Sequence, residues 1–315
     1  MLPITKKDIK IAMLGMVDGN GHPYSWSAMF NGYDKEEMAS CPFPVIPDYL
    51  SKQPPGTFGI ENAKVTHIWT DDPEDGKKVA KASLIPNIVS RPEDVIGEVD
   101  AVIVATDKGW EHVWRCRPFV EAGLPIFVDK PLADNIEDLR VFADWVKNGA
   151  EIMSSSSMRY CKEMMIYYGR TYEFGELRYI CTTVPKTWER YGIHALEHVY
   201  PLLGPGFASV RNSGTYENNI IHLRHQSGCD VNIASVCDIS GCGTMICGNR
   251  GSTIVKTQDS YGSFKRQLEV FVNYLRTGAR PYPFDETVEL MKIIIGGIMS
   301  RKNGGNEILL EDIVL

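Results

Sequence analysis

Apolar positions fall into two rhythms along the chain. In the first half they come as short runs at 10–14 (KIAML), 101–105 (AVIVA) and 126–128, with a mixed strand at 65–69 (VTHIW). Runs without polar alternation suit strands covered on both faces, as in a parallel sheet. Between them apolar residues recur every three to four positions, which marks one face of a helix. Such stretches lie at 25–31, at 73–83, around Trp110, Val113, Trp114, Phe119 and Val120, and at 135–147. Gly123 with Pro125 stops the third and Asn148-Gly149 the fourth. Residues 88–90, a PEDVIG helix and a last strand at 151–153 complete the alternation. Strand–helix repetition of this kind predicts an α/β fold, a Rossmann-like doubly wound parallel sheet.

Beyond four serines at 154–157 the rhythm changes. A helical stretch opens with Arg159 and Tyr160, and 188–204 reads as another helix. Period-two strands follow the first of these at 177–184, 208–212, 219–225, 230–236 and 245–248, with turn signals such as Gln226-Ser227-Gly228. Amphipathic helices at 264–277 and 286–299 close the chain. The second half is therefore expected to be an α+β domain on an open, mainly antiparallel sheet, with domains at 1–153 and 154–315. Residues 33–64, rich in proline and glycine, read as an insertion before the second strand.

Composition narrows the partners. At 315 residues two domains are natural, and a net charge of −7 argues against nucleic acid or an anionic membrane. A charged substrate stays open, because local lysines and arginines can line a cleft. Eight cysteines without a Cys-x-x-Cys pair suggest reduced thiols and a cytoplasmic setting. Cys237, Cys242 and Cys247 recur every five residues, a spacing that spreads them over strand faces and a turn, so no metal is expected. No apolar run is long enough to span a bilayer, and the first residues have no signal-peptide core.

The first strand ends at Gly15, where a dinucleotide fold turns around phosphate. Only Gly15 keeps the G-x-G-x-x-G register: Val17 and Asn20 hold the other two places, and Gly19 and Gly21 are shifted. A strand before and a helix after still offer backbone N–H groups to a phosphate. The neighbouring His22, Tyr24, Ser25 and Trp26 read either as capping and packing or as ligand contacts. Asp71, at the end of the second strand, would accept hydrogen bonds from a ribose diol and repel a 2′-phosphate, favouring NAD over NADP. Its competing reading is the cap of the helix that follows.

The fourth strand runs into Ala105-Thr106 and, after five intervening residues, His112; Glu121-Ala-Gly and Asp129-Lys130-Pro131-Leu132 come next. A lysine at the carboxyl end of a parallel strand, with φ fixed at the next residue, is a candidate for chemistry; a surface lysine at a turn is the other reading. This set, with Gly192-Ile193-His194, resembles the Gfo/Idh/MocA family of nicotinamide-dependent dehydrogenases, which carries Glu where Asp129 stands. The resemblance implies Lys130 and His194 as catalytic residues. It implies Gly15, Val17, Asp71, Thr106, His112, Asp129 and Lys130 around NAD, and Arg159, Tyr160, Arg190 and His194 around substrate. Lys130 would hold the reacting oxygen and His194 would take or relay the proton.

The family's aspartate four residues before the histidine is Arg190 here; with Lys186 it would suit a carboxylate or phosphate. The implied substrate is a small molecule, a sugar, inositol or related polyol with a secondary alcohol, and the implied assembly is a homodimer or homotetramer. A non-catalytic ligand sensor on the same fold is the alternative, given the altered glycine turn. His194-x-x-Glu197-His198 also spells an inverted zinc-peptidase order, but no third ligand is recognisable, and Glu197 and His198 read as packing or capping residues.

Overall fold

The computed structural model describes residues 3–240 and 243–315. Its first half runs β1 (Ile9–Leu14), α1 (His22–Asn31), α2 (Lys35–Met38), α3 (Val45–Ser51), β2 (Ala63–Trp69), α4 (Pro73–Ala82) and β3 (Asn87–Ile88). It continues through β4 (Ala101–Val104), α5 (His112–Glu121), β5 (Ile126–Val128), α6 (Ile136–Lys147) and β6 (Ile152–Ser154). All six strands are parallel, in the order β3-β2-β1-β4-β5-β6. The chain reverses direction across the sheet between β1 and β4, and ligands of such sheets gather at the strand ends there. Every residue of β4, β5 and β6 is buried, as their unbroken apolar runs require.

The second half holds α7 (Lys162–Met165), β7 (Leu177–Pro185), α8 (Trp188–Leu203), β8 (Phe207–Asn212), β9 (Asn218–His225), β10 (Asp230–Val236), β11 (Thr244–Gly248) and β12 (Ser252–Val255). It ends with α9 (Ser260–Thr277), α10 (Phe284–Lys302) and β13 (Ile308–Leu309). The strands form one sheet in the order β12-β11-β7-β10-β9-β8-β13, antiparallel except between β7 and β10. The expected mainly antiparallel sheet is present. Among the described residues no helix is long and apolar enough to cross a membrane.

Several local expectations need correction. The helix expected from Met158 is instead a 3₁₀ turn over Ser157–Tyr160, the single turn α7 and another 3₁₀ turn over Thr171–Phe174. Cys161 is extended between the first two, and Gly169 takes φ +71°, so no continuous ladder can form. Helix α1 begins three residues early, at His22, because Pro23 fits a first helical turn whose N–H groups lack partners anyway. Asp72, not Asp71, caps α4 by accepting the Glu74 N–H at 2.9 Å.

Helix α9 crosses back from the second half. Its Tyr261, Leu268, Phe271, Val272, Tyr274 and Leu275 share one core with Ile11, Trp26, Ile103 and Phe127 of the parallel sheet. Phe127 touches both Trp26 and Phe271, at centroid distances of 5.6 and 5.5 Å. At about 1.5–3 kcal/mol for each large buried side chain, this contact is a main support of the first half. The 33–64 insertion joins the same region: Phe43 and Ile46 sit so close to Gly21 that a Cβ there would come within 2.5 Å of each. Tyr261 Oη donates to the Thr57 carbonyl at 3.0 Å.

Candidate active site

The carboxyl ends of β1, β4 and β5 converge with the first turns of α8. Gly15 follows β1 with φ +84°, and a Cβ there would meet Thr106 Cγ2 at 2.7 Å, so both backbone and space require glycine. Gly19 takes φ +78° in the same turn. The Val17 side chain is buried, at 8 % exposure. At the start of helix α1 the His22 N–H donates to Asn20 Oδ1 at 2.9 Å, and the buried Asp129 carboxylate lies against the His22 ring. Thr106 Oγ1, wholly buried, has no hydrogen-bond partner among the described residues.

Asp71 stands beside the glycine turn, where its Oδ2 accepts the Met16 N–H at 3.2 Å and its Oδ1 the Arg115 guanidinium at 2.8 Å. Arg115 also pairs with Glu111 at 2.8 Å, so its charge is matched by two carboxylates. His112 does not face a ligand. Its ring nitrogens lie 2.8 Å from the Thr106 carbonyl and 3.1 Å from the Leu132 carbonyl, and it staples the β4 end to the DKPL loop. Both of its ring nitrogens are thus engaged by backbone carbonyls.

Asp129 is also built in rather than presented. Its carboxylate accepts from its neighbour's N–H (Lys130, 2.7 Å) and from Asn20 Nδ2 (3.0 Å), and meets His22 Nδ1 at 2.5 Å. Burial pushes this carboxyl up, but the His22 and Lys130 charges and these hydrogen bonds outweigh it and hold it down at about 2. Lys130, 2 % exposed and joined to Pro131 by a cis bond, has its ammonium 3.5 Å from Asp107 and 4.8 Å from the centre of the Tyr191 ring.

Helix α8 is pinned so that its start faces that lysine. The Trp188 indole donates to the Ile294 carbonyl of α10 at 3.0 Å, and only glycines at 192 and 297 leave room for the indole. His194 then sits edge-on to Tyr191, with centroids 4.7 Å apart. Lys130, after β5, and His194, on α8, therefore approach one tyrosine from the two halves of the chain. His194 Nδ1 lies 2.6 Å from Ser156 Oγ, which itself accepts the Met158 N–H. Burial and the charges of Lys130 and His22 push its imidazole well below the usual range, so it is neutral at neutral pH. A cavity of about 230 Å³ opens here, with His22, Thr182, Tyr191, His194, His198 and Phe264 in its wall.

Of three residues expected at the substrate, Arg159 and Arg190 are paired with carboxylates and Tyr160 is buried with its hydroxyl unpartnered among the described residues. The Arg159 guanidinium is bound by Glu197 and by Glu286, the latter at 2.8 Å, and stacks on Tyr282. Its charge is spent inside the protein, and Glu197 is spent with it. Tyr160 is a core residue, 8 % exposed, whose carbonyl accepts from Arg266. Arg190 turns away from the cavity to Asp107, at 2.6 Å, and to the Asp18 carbonyl of the glycine turn, at 3.2 Å. The carboxylate that α8 lacks at position 190 thus returns from β4 as Asp107, which holds Lys130 and Arg190 together. Its signal was the acid directly after Ala105-Thr106. His198 binds Thr244 at 2.8 Å, and among the described residues no cluster could hold a metal ion; Cys242 lies outside them.

Comparison with known proteins adds what geometry cannot. Residues 48–155 match the model of the Gfo/Idh/MocA oxidoreductase family, described as an NAD-binding Rossmann fold. Over that third of the chain the sequence is similar to this family. Inositol 2-dehydrogenase 1 of Saccharopolyspora erythraea is 35% identical over 108 residues, 33% of this chain and 32% of that protein. The match thus spans about a third of the curated relative. The scyllo-inositol dehydrogenase of Lactobacillus casei, solved with NAD(H) and scyllo-inositol, superposes with a TM-score of 0.74 at 12% identity, covering 97% of this chain and 100% of that one. The myo-inositol dehydrogenase of Corynebacterium glutamicum gives 0.72 at 17% identity, covering 96% and 99%. An Agrobacterium radiobacter oxidoreductase, solved with NAD+, L-tartaric acid and magnesium, gives 0.75 at 14%, covering 98% and 100%. These likenesses show that both halves of the chain share the fold of those structures.

Proposed function

We propose that the protein is an NAD-dependent dehydrogenase that interconverts a secondary alcohol and a ketone on an inositol or related polyol. The observation that carries this reading is the convergence of Lys130 and His194 on Tyr191 beside a cavity lined with hydroxyl and imidazole groups. The positive-φ glycines and the unpartnered Thr106 hydroxyl suit a dinucleotide at the glycine turn. Asp71 favours a free ribose diol, because the adjoining Arg115 is already neutralised and leaves no spare cation for a 2′-phosphate. Bound NAD supplies the acceptor for the carbinol hydrogen and its electron pair. Lys130 holds the reacting oxygen and stabilises negative charge developing on it, while His194 hydrogen-bonds the same group. Arg190, lying against Gly19 and the Asp18 carbonyl, guards the cofactor side.

The open face of the second sheet supports a homo-oligomer, which light scattering would test. The cysteines at 41, 116, 161, 181, 229, 237 and 247 are all free, which suits a cytoplasmic setting. The deciding experiment measures NADH binding by fluorescence and NADH formation with myo- and scyllo-inositol, for wild type and Lys130→Met. The variant should bind NADH within about threefold of wild type and lose roughly 10²–10⁴ in turnover. A variant that retains most of its turnover removes Lys130 from the chemistry. A wild-type protein that binds no NADH refutes the dehydrogenase reading.

A further inference from the structure

The site contains a second imidazole, and its surroundings differ from those of His194. His22 is the first residue of α1, and Trp26, four residues on, lies on the same helical face. Their rings stack at 4.2 Å with 16° between planes, and Phe264 of α9 closes the other side edge-on at 5.1 Å. Trp26 is wholly buried, so the imidazole rests on an immobile wall. Its side chain is 15% exposed and borders the cavity that His194 borders.

Hydrogen-bond chemistry fixes what each ring can do. An ionised carboxylate only accepts, so the proton between Asp129 Oδ2 and His22 Nδ1 belongs to the histidine. In its neutral form His22 is thereby held as the Nδ1–H tautomer, and its other nitrogen, Nε2, keeps a lone pair. Among the described residues that nitrogen has no protein partner. His194 lacks such a carboxylate: its Nδ1 meets the Ser156 hydroxyl, and Lys130 and Lys186 put positive charge around it. The acid that would have supported it is replaced by Arg190. A buried carboxylate, an oriented imidazole and an open lone pair at a cavity wall form a general-base dyad.

We propose that His22, oriented by Asp129, is the proton acceptor for alcohol oxidation in this cavity. The inference rests on the dehydrogenase reading above. In the step, the carbinol C–H bond breaks and its electron pair leaves with the hydrogen to the nicotinamide ring, which is reduced. The alcohol O–H bond breaks, the proton moves to His22 Nε2, and the carbon is oxidised to C=O. Asp129 stays ionised and faces the imidazolium, and the proton leaves to solvent along the exposed edge of the ring. Lys130 holds the oxygen throughout.

Two measurements on the full chain test this. In ¹⁵N-histidine NMR the wild type should show His22 as the Nδ1–H tautomer, and Asp129→Asn should abolish that preference; an Nε2–H tautomer in the wild type overturns the proposal. With NAD+ and myo- or scyllo-inositol, His22→Gln should lower turnover roughly 10²–10⁴-fold while NADH affinity and melting temperature stay near wild type. Turnover within about threefold of wild type overturns it. If the wild type binds NADH but oxidises neither inositol, the substrate assignment fails and the tautomer decides the dyad by itself.

Discussion

Asp107 joins the two halves of the site, and replacing it by asparagine isolates that function. Its carboxylate, 2% exposed, receives Arg190 Nη2 at 2.6 Å and Nε at 3.3 Å, and lies 3.5 Å from Lys130 Nζ. Deleting one partner of a buried ion pair leaves charge uncompensated and costs roughly 3–5 kcal/mol. Asparagine keeps the shape and one acceptor, and Arg190 is 25% exposed, so the low end, about 3 kcal/mol, applies. At about 2.1 cal/mol/K per residue, 315 residues unfold with an entropy of about 0.66 kcal/mol/K, so the midpoint should fall by about 4–5 °C. Calorimetry on Asp107→Asn, Arg190→Gln and the double variant gives both the loss and the coupling, expected at about 1–3 kcal/mol. A shift under about 1 °C with additive single effects would refute a closed Asp107–Arg190–Lys130 cluster.

Two other predictions test the walls of the site. Gly15→Ala should lose NADH binding and cost about 1–3 kcal/mol, because a non-glycine residue at φ +84° is strained and its Cβ presses on Thr106; unchanged binding in a fluorescence titration would contradict the proposed seat of the dinucleotide. The Asp129 carboxyl titrates at about 2 in the folded protein against an ordinary 3.8, so its contribution, of order 2 kcal/mol, is fully present above the ordinary value and is lost as pH falls through about 2. Urea midpoints of wild type and Asp129→Asn should therefore converge on acidification from about pH 5 to about pH 3, and a gap that widens would reverse the sign argued here.

The parallel sheet was legible because its strands are apolar on both faces, and Lys130 because a strand and a proline flank it. Other assignments depended on contacts that spacing does not encode. Asp71 and Asp72 are adjacent, and only the fold shows that the second caps α4 while the first reaches the glycine turn. Arg159 opens the second half near the cleft in sequence, yet Glu197 and Glu286 lie 38 and 127 residues away and claim its charge. Asp107 went unread for the same reason: its value comes from Arg190, 83 residues on. His22 was visible as part of an unusual cluster, and its spacing to Trp26 already set both rings on one helix face. What the sequence could not supply was Asp129 beneath it, 107 residues later.

The return of α9 to the parallel sheet has a consequence for how the chain is made. Synthesis runs from residue 1, so Trp26, Phe127 and their neighbours leave the ribosome long before residues 260–277 arrive to cover them. During that interval the nascent first half presents an apolar face with nothing against it, the condition under which chains aggregate or recruit chaperones. A fragment cut at residue 153 would keep that face permanently bare, so this half matures only when the far end of its own polypeptide comes home.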